Sequence, residues 1–530
     1  MKINDFIRKY YIWLLLSFYI IVRIFLINVN FAEVGDSNNF LLLGDQISKG
    51  IFPIFTNRLP FYPLLLAAGI RFLDGYLWGR ILSLLFSVGS IIVLYKLAFL
   101  LFKKREIAVL TCLLTVLNPI FSYHSMCIYS EVLLLFFVLS SFYFFFRESS
   151  KYDFLIVGFI TILAVMTRFE GSILFPVFIL SYGILRRWRK LIYYLVFTLS
   201  FFIAVLVFIY FKSGVIPNRF FEGMLLVFMP REYDLLPTFW THLLFISGFP
   251  ILIYFEIFGF SYLFGSFRKF APLILYLGLD LFLIYKTNPA VRYFYTMVPI
   301  FSLVIACSFV WDFMRSKFTF SIVTGVSIIL FIYLALTVKP FFVFGTMFSI
   351  LISLALSLAV LLIYVLPKQA GARNIVKSLI IFIVLVSLFN LSSSIIWHRR
   401  YDYYTIAQAS SYVADEDKKV AYYDETGVSA WLLRKNGVYF NKEISDDDQM
   451  AWLRSNDIKY AIYTDEYNEN GELTVLKSDE YSDNFKPVKS FEYQRKQWLT
   501  DILERFGMEG SAFLPVSRSY ISEVYEVIYK

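Results

Sequence analysis

Apolar stretches long enough to cross a bilayer recur along most of the chain. Crossing as a helix takes about 20 apolar residues, within a range of roughly 17–25. Such stretches fall at about 10–29, 76–102, 106–123, 129–146, 153–167, 170–185, 190–211, 241–264, 270–286, 291–311, 318–338, 341–366 and 376–397. These thirteen spans predict a polytopic α-helical membrane protein, because backbone in lipid must satisfy its own hydrogen bonds. Composition agrees: 59% of the 530 residues are hydrophobic, where soluble domains hold roughly half. The first stretch has basic flanks (Lys2, Arg8, Lys9) but is long and lacks a small-residue cleavage site. It reads as a retained span rather than a removed leader.

Basic residues give the orientation. With the N-terminus inside, the inner segments hold 19 Lys and Arg, including Lys103, Lys104 and Arg105, against about ten outside. Cytoplasmic loops carry such an excess. An odd number of spans then puts the C-terminal chain outside, giving a multi-pass plasma-membrane protein with a cytoplasmic N-terminus and an extracytoplasmic C-terminal domain. Residues 398–530 hold 24 acids and 17 bases, a net of −7, whereas 1–397 hold 16 acids and 32 bases, a net of +16. The overall charge of +9 is therefore no nucleic-acid signal; it joins a membrane domain with basic loops (1–397) to a mildly acidic domain (398–530).

The first outer loop, 30–75, is large. PFYPLLLAAGIRFLDG (60–75) is too short to cross and carries Arg71, so it reads as a helix along the surface. SNNFLLLGDQISKG (37–50) reads likewise, with Phe40, Leu43 and Ile47 on one face and Gly50 as terminator. A second outer loop at 212–240 is a lid or a connector. In the tail, strands are expected at 418–425, 437–440, 458–464 and 522–530, with helices at 426–436 and 445–456, which makes a small α/β domain. DDD (446–448) fits the start of that second helix, where acids favour the helix dipole, better than a metal site. Cys112, Cys127 and Cys307 match no metal or disulfide pattern and read as small apolar residues.

Ionisable groups in or beside spans are functional candidates, because burying one at mid-bilayer costs roughly 2.5–3.5 kcal/mol. Asp36, Arg58, His124, Glu131, Arg168, Glu170 and Arg292 come from separate parts of the chain yet fall at one level, the outer face. Singly, each reads equally as a solvated interfacial residue. Together they can grip an anionic lipid headgroup, since guanidinium binds phosphate bidentately. A carboxylate in reach of an incoming hydroxyl takes its proton, help worth about 10²–10⁴ in rate.

GDSNNFLLLGDQISKGIFPIFTNRLPFYPLLLA (35–67) resembles the first outer loop of GT-C-fold glycosyltransferases that use polyprenyl-phosphate-linked sugars, in the protein O-mannosyltransferase and aminoarabinose-transferase group. The matching pattern is Asp36, Gly50, Arg58, Pro60, Tyr62 and Pro63. LFKKR (101–105), NPIFSYHSMCIYSEVLLLFF (118–137), MTRFEG (166–171) and VRYFYTMVPI (291–300) extend the likeness over most of 1–310. The resemblance implies Asp36 as general base and Arg58 and Arg292 as ligands of the donor phosphate. It implies Tyr62, His124, Glu131, Arg168 and Glu170 as lining or bracing residues. Glu131 and Arg168 could equally pair as buried structure, and Asp45 reads as a polar-face residue or a second acid.

Ser37 stands where a second acid is common in the group, and Asn38–Asn39 replaces an aromatic-bearing pattern. A metal-binding acid pair is not evident, so no metal or other cofactor is expected, the lipid-phosphate-sugar being a substrate. The acceptor is left open among protein, lipid and glycan hydroxyls, in a microbial envelope. A transporter, flippase or polymerase of envelope glycans is the alternative, although such proteins place charges at mid-membrane, where Asp280 is the main acid here.

Overall fold

The computed structural model describes residues 3–27, 33, 36–53, 58–147, 150, 152–216, 250–286, 291–308, 402–423, 427–440, 445–464, 473–493 and 520–529. The predicted spans at 318–338, 341–366 and 376–397, the start of that at 241–264, and most of the loop at 212–240 lie outside the described residues. Contacts divide the chain into two compact units: Met1–Leu26, Ile51–Leu65 and Arg80–Ile396 form one, and Ile27–Gly50, Leu66–Gly79 and Trp397–Lys530 the other. Two segments of the first outer loop therefore group with the C-terminal chain.

The first unit is helical. Its helices are α1 (Ile3–Phe25), the greater part of α4 (Gly75–Phe102), α5 (Arg105–Leu117), α6 (Pro119–His124), α7 (Ser130–Arg147), α8 (Asp153–Thr167), α9 (Leu174–Ile184), α10 (Trp188–Ser213), α11 (Pro250–Gly265), α12 (Phe267–Lys286) and α13 (Val298–Ser308). Among the described residues three helices, α4, α7 and α10, are long and apolar enough to cross a membrane. α10 exposes Ile192, Val196, Leu199, Ile203 and Val207 along its length, as a lipid-facing helix would.

Inside the unit α8 packs between α7 and α10, and α13 packs on α5 and α11. Gly259 permits the last contact: a Cβ there would stand 2.1 Å from the Val304 carbonyl oxygen. Thr111, Thr115, Thr161 and Thr167 each donate their hydroxyl to the carbonyl four residues back, so these polar groups need no solvent.

Three predicted spans are interrupted. The stretch 106–123 breaks at Asn118, whose side chain accepts from the backbone N–H of Ile120 (2.9 Å) and Phe121 (3.3 Å) and starts a new helix with Pro119 in its first turn. The stretch 170–185 begins as a 3-10 turn, Phe169–Ile173, and 291–311 begins as another, Val291–Thr296.

The second unit is built on a five-stranded mixed sheet, order β2-β1-β3-β5-β4. Its strands are β1 (Lys419–Tyr422), β2 (Gly437–Tyr439), β3 (Ile458–Thr464), β4 (Phe485–Tyr493) and β5 (Tyr520–Val527). β1 runs parallel to β2 and β3, while β5 runs antiparallel to β3 and β4. Neighbouring residues Val420 and Ala421, and Ala461 and Ile462, are all buried, so these strands are covered on both faces. One face meets Met450 and Leu453 and the other Ala409 and Val413. The covering helices are α14 (Asp402–Val413) and α16 (Asp446–Ser455); α15 (Val428–Leu432) lies between β1 and β2 in the chain. Ser445 caps α16, accepting from the Asp448 N–H, and the aspartates at 446–448 form its first turn, as the sequence indicates. β4 and α14 were not expected. β4 carries Pro487 beside a bulge, which fits the edge position it holds.

The outer-loop helices are α2 (Asp36–Ser48) and α3 (Phe61–Ile70). In the second unit α2 packs against the C-terminal half of α3, where a Cβ on Gly44 would lie 3.0 Å from Leu66 Cβ, and against α15. Asp45 pairs with Lys49 one turn on, the polar-face arrangement.

Candidate active site

In the first unit the chemistry-bearing residues stand where helices end. Glu131 lies in the first turn of α7. Arg168 is the extended residue that stops α8, and Glu170 follows in the 3-10 turn. Arg292 belongs to the 3-10 turn before α13. An apolar helix interior gives a charged side chain no partner, whereas an end offers unpaired backbone and neighbouring ends.

These residues form one network. Arg168 Nη1 lies 3.0 Å from Glu131 Oε1 and donates to Ser130 Oγ at 3.1 Å. Its Nε and Nη2 donate to the two Glu170 oxygens at 3.1 and 2.7 Å, a bidentate fork. Glu131 Oε1 also faces Arg292 Nε at 3.8 Å. Arg292 Nη2 donates to the Tyr293 hydroxyl at 3.3 Å. The Arg292 guanidinium lies 5.9 Å from the Tyr129 ring and 5.1 Å from the Tyr293 ring, and Arg168 lies 5.4 Å from the Tyr293 ring on its own account.

Exposure separates the two arginines. The Glu131 side chain is 4% exposed and that of Arg168 13%, whereas that of Arg292 is 27% exposed. Arg168 is engaged by two carboxylates, so its charge is neutralised in place. Arg292 shares one of those carboxylates at longer range and is the more open to solvent. The Glu131–Arg168 pairing that the sequence left as an alternative is present.

His124 ends α6 and is nearly buried, with its ring 5.8 Å from that of Tyr129 and 6.3 Å from that of Tyr295. Tyr62 is buried at the start of α3, and Arg58 is half-buried just before Pro60. Asp36 opens α2 in the second unit and is half-buried. Asp280, the mid-span acid, accepts from the Thr296 hydroxyl at 3.1 Å. Among the described residues no three His, Cys, Asp or Glu side chains stand together as a metal site.

Tyr129, Ser130, Tyr293 and Arg23 were not singled out in the sequence. The first three adjoin Glu131 or Arg292 in the chain, which was the available signal. Arg23 sits in an apolar run and donates to the carbonyls of Ser122 (3.2 Å) and Ser125 at the end of α6, joining α1 to it.

Residues 57–211 match the family model described as dolichyl-phosphate-mannose-protein mannosyltransferase. Solved structures similar over nearly the whole chain include the following two. ArnT from Cupriavidus metallidurans bound to undecaprenyl phosphate has 12% identity and a TM-score of 0.58, covering 96% of this chain and 97% of that one. The Archaeoglobus fulgidus oligosaccharyltransferase tethered to an acceptor peptide with the NVT sequon has 10% identity and a TM-score of 0.54, covering 99% of this chain and 89% of that one. No curated protein matches this chain in sequence. The chain thus shares its fold with ArnT and with the archaeal oligosaccharyltransferase.

Proposed function

We propose that this protein is a membrane glycosyltransferase that moves a sugar from a polyprenyl-phosphate donor to an acceptor hydroxyl at the outer membrane face. In this reading Asp36 takes the acceptor proton as the hydroxyl oxygen attacks the anomeric carbon. The bond from that carbon to the phosphate oxygen breaks, and the single displacement inverts the anomeric centre. Arg58 and Arg292 bind the leaving phosphate and stabilise its developing charge. Arg168 and Glu170 hold Glu131 in place, and Glu131 in turn holds Arg292.

The observation that carries this reading is the arrangement Glu170–Arg168–Glu131–Arg292, assembled from three separate helix ends, with the second guanidinium half-open. The mannosyltransferase family match across 57–211 covers Arg58, Tyr62, His124, Glu131, Arg168 and Glu170. The ArnT structure binds undecaprenyl phosphate and the oligosaccharyltransferase an acceptor peptide, which supports a lipid-linked donor and an acceptor of protein or glycan kind. The chain's own sugar and acceptor follow from mass spectrometry of glycolipids and glycoproteins in cells lacking the protein. An isoprenyl-phosphate-sugar should accumulate there; unchanged lipid-linked sugar pools would contradict the proposal.

A further inference from the structure

Asn38 lies two residues after Asp36 and is fully buried. Its Nδ2 donates to the Glu33 carbonyl at 2.7 Å, on the chain leading into α2. Its Oδ1 accepts from the Tyr76 hydroxyl at 3.0 Å, at the start of α4. Only this orientation of the amide satisfies both neighbours, since a carbonyl cannot donate. The Tyr76 ring packs on Trp431 of α15, centroids 6.1 Å apart. Trp431 is 1% exposed and rests against Gly75, where a Cβ would stand 2.4 Å from its Cζ2 and 3.4 Å from Leu41 Cδ2. Behind it the Arg434 guanidinium lies 4.3 Å from the indole, and Arg434 Nη1 donates to the Trp431 carbonyl at 3.1 Å.

We propose that Trp431, Tyr76 and Asn38 are positioning residues: through them the C-terminal domain fixes the first turn of α2 and thereby aims the Asp36 carboxylate. This rests on the reading of Asp36 as the base. Two residues on a helix differ by about 200° in direction, so Asn38 acts on Asp36 through the backbone and not by touching its carboxylate. An interfacial helix of 13 residues is marginal alone. Its start must be held from outside if a proton acceptor there is to keep its aim.

The test compares full-length wild type with Tyr76→Phe, which keeps the ring on Trp431 and deletes one hydroxyl, and with Asp36→Asn. The donor probe is the lipid-linked sugar fraction extracted from cells lacking the protein, its consumption followed by mass spectrometry in membranes. Hydrogen–deuterium exchange reports on the amides of 39–44, with Ser130–Arg147 as control. Tyr76→Phe is expected to speed exchange at 39–44 only and to lower kcat about tenfold, as a small misalignment of a reacting group does. KM for the extract should stay within about twofold and membrane abundance should hold, a split that a general loss of structure does not give. Unchanged exchange, wild-type kcat, or a loss of kcat that tracks a loss of abundance overturns the proposal. Full turnover by Asp36→Asn would overturn the base assignment and with it the catalytic half; exchange at 39–44 then decides the structural half alone.

Discussion

Arg168 Nη1 sits 3.0 Å from Glu131 Oε1, and the same oxygen faces Arg292. One carboxylate oxygen thus serves two guanidiniums, the nearly buried one of Arg168 and the more exposed one of Arg292. The two arginines should therefore fail differently when removed. Arg168→Ala takes the bidentate partner from Glu170 and leaves Glu131 its longer contact to Arg292, and should cost about 3–5 kcal/mol of stability. Arg292→Ala should leave the melting temperature close to wild type and weaken binding of undecaprenyl phosphate. Thermal melts in detergent and a binding titration separate the two; equal losses of stability would contradict the assignment.

Glu131→Gln keeps the volume and removes the charge. Arg168 then retains Glu170, while Arg292 loses the carboxylate that orients it. The expected result is a larger fall in undecaprenyl phosphate affinity than in melting temperature. A variant that binds the lipid as wild type does would remove Glu131 from the site.

Gly75→Ala should clash with Trp431, because the added Cβ has 2.4 Å where it needs more than 3. Overpacking of this kind costs about 1–3 kcal/mol. Trp431→Phe in the same chain should return part of the loss, and this non-additivity between neighbours is read from thermal unfolding. Additive losses would mean that the two residues do not share the space.

In the C-terminal domain Glu523 is partly buried, which by itself raises its carboxyl pKa, but hydrogen bonds from Lys477 and Tyr525 and the Lys477 charge outweigh this and lower it below 4.5. A lowered carboxyl contributes stability above its unfolded value and loses it as pH falls through the folded value. Exchange protection of β5 in the full-length protein should therefore weaken as pH drops below about 4.5, the unperturbed value. Glu523→Gln should flatten this limb. An unchanged acid limb in the variant would contradict the pairing.

The sequence made most of the helical framework legible, because long apolar runs leave few alternatives. The break at Asn118–Pro119 was hidden by the hydrophobicity of 106–123, although an Asn followed by Pro is a helix-start signal. In the tail, the strand at 458–464 and the Ser445 cap followed from alternation and capping chemistry. β4 was concealed by Pro487 and by an exposed, polar edge, and α14 by its weak apolar pattern. Within the site, Glu131, Arg168 and Glu170 stood out as charges in greasy surroundings. Tyr293 did not, because one tyrosine among 38 carries no signal until folding supplies its partners.

Substitution of Asp36 by Asn tests the central claim most directly. Membranes carrying Asp36→Asn, given the lipid-linked sugar extract, should consume none of it above background while the protein still inserts and still binds undecaprenyl phosphate. Consumption near the wild-type rate would contradict the account.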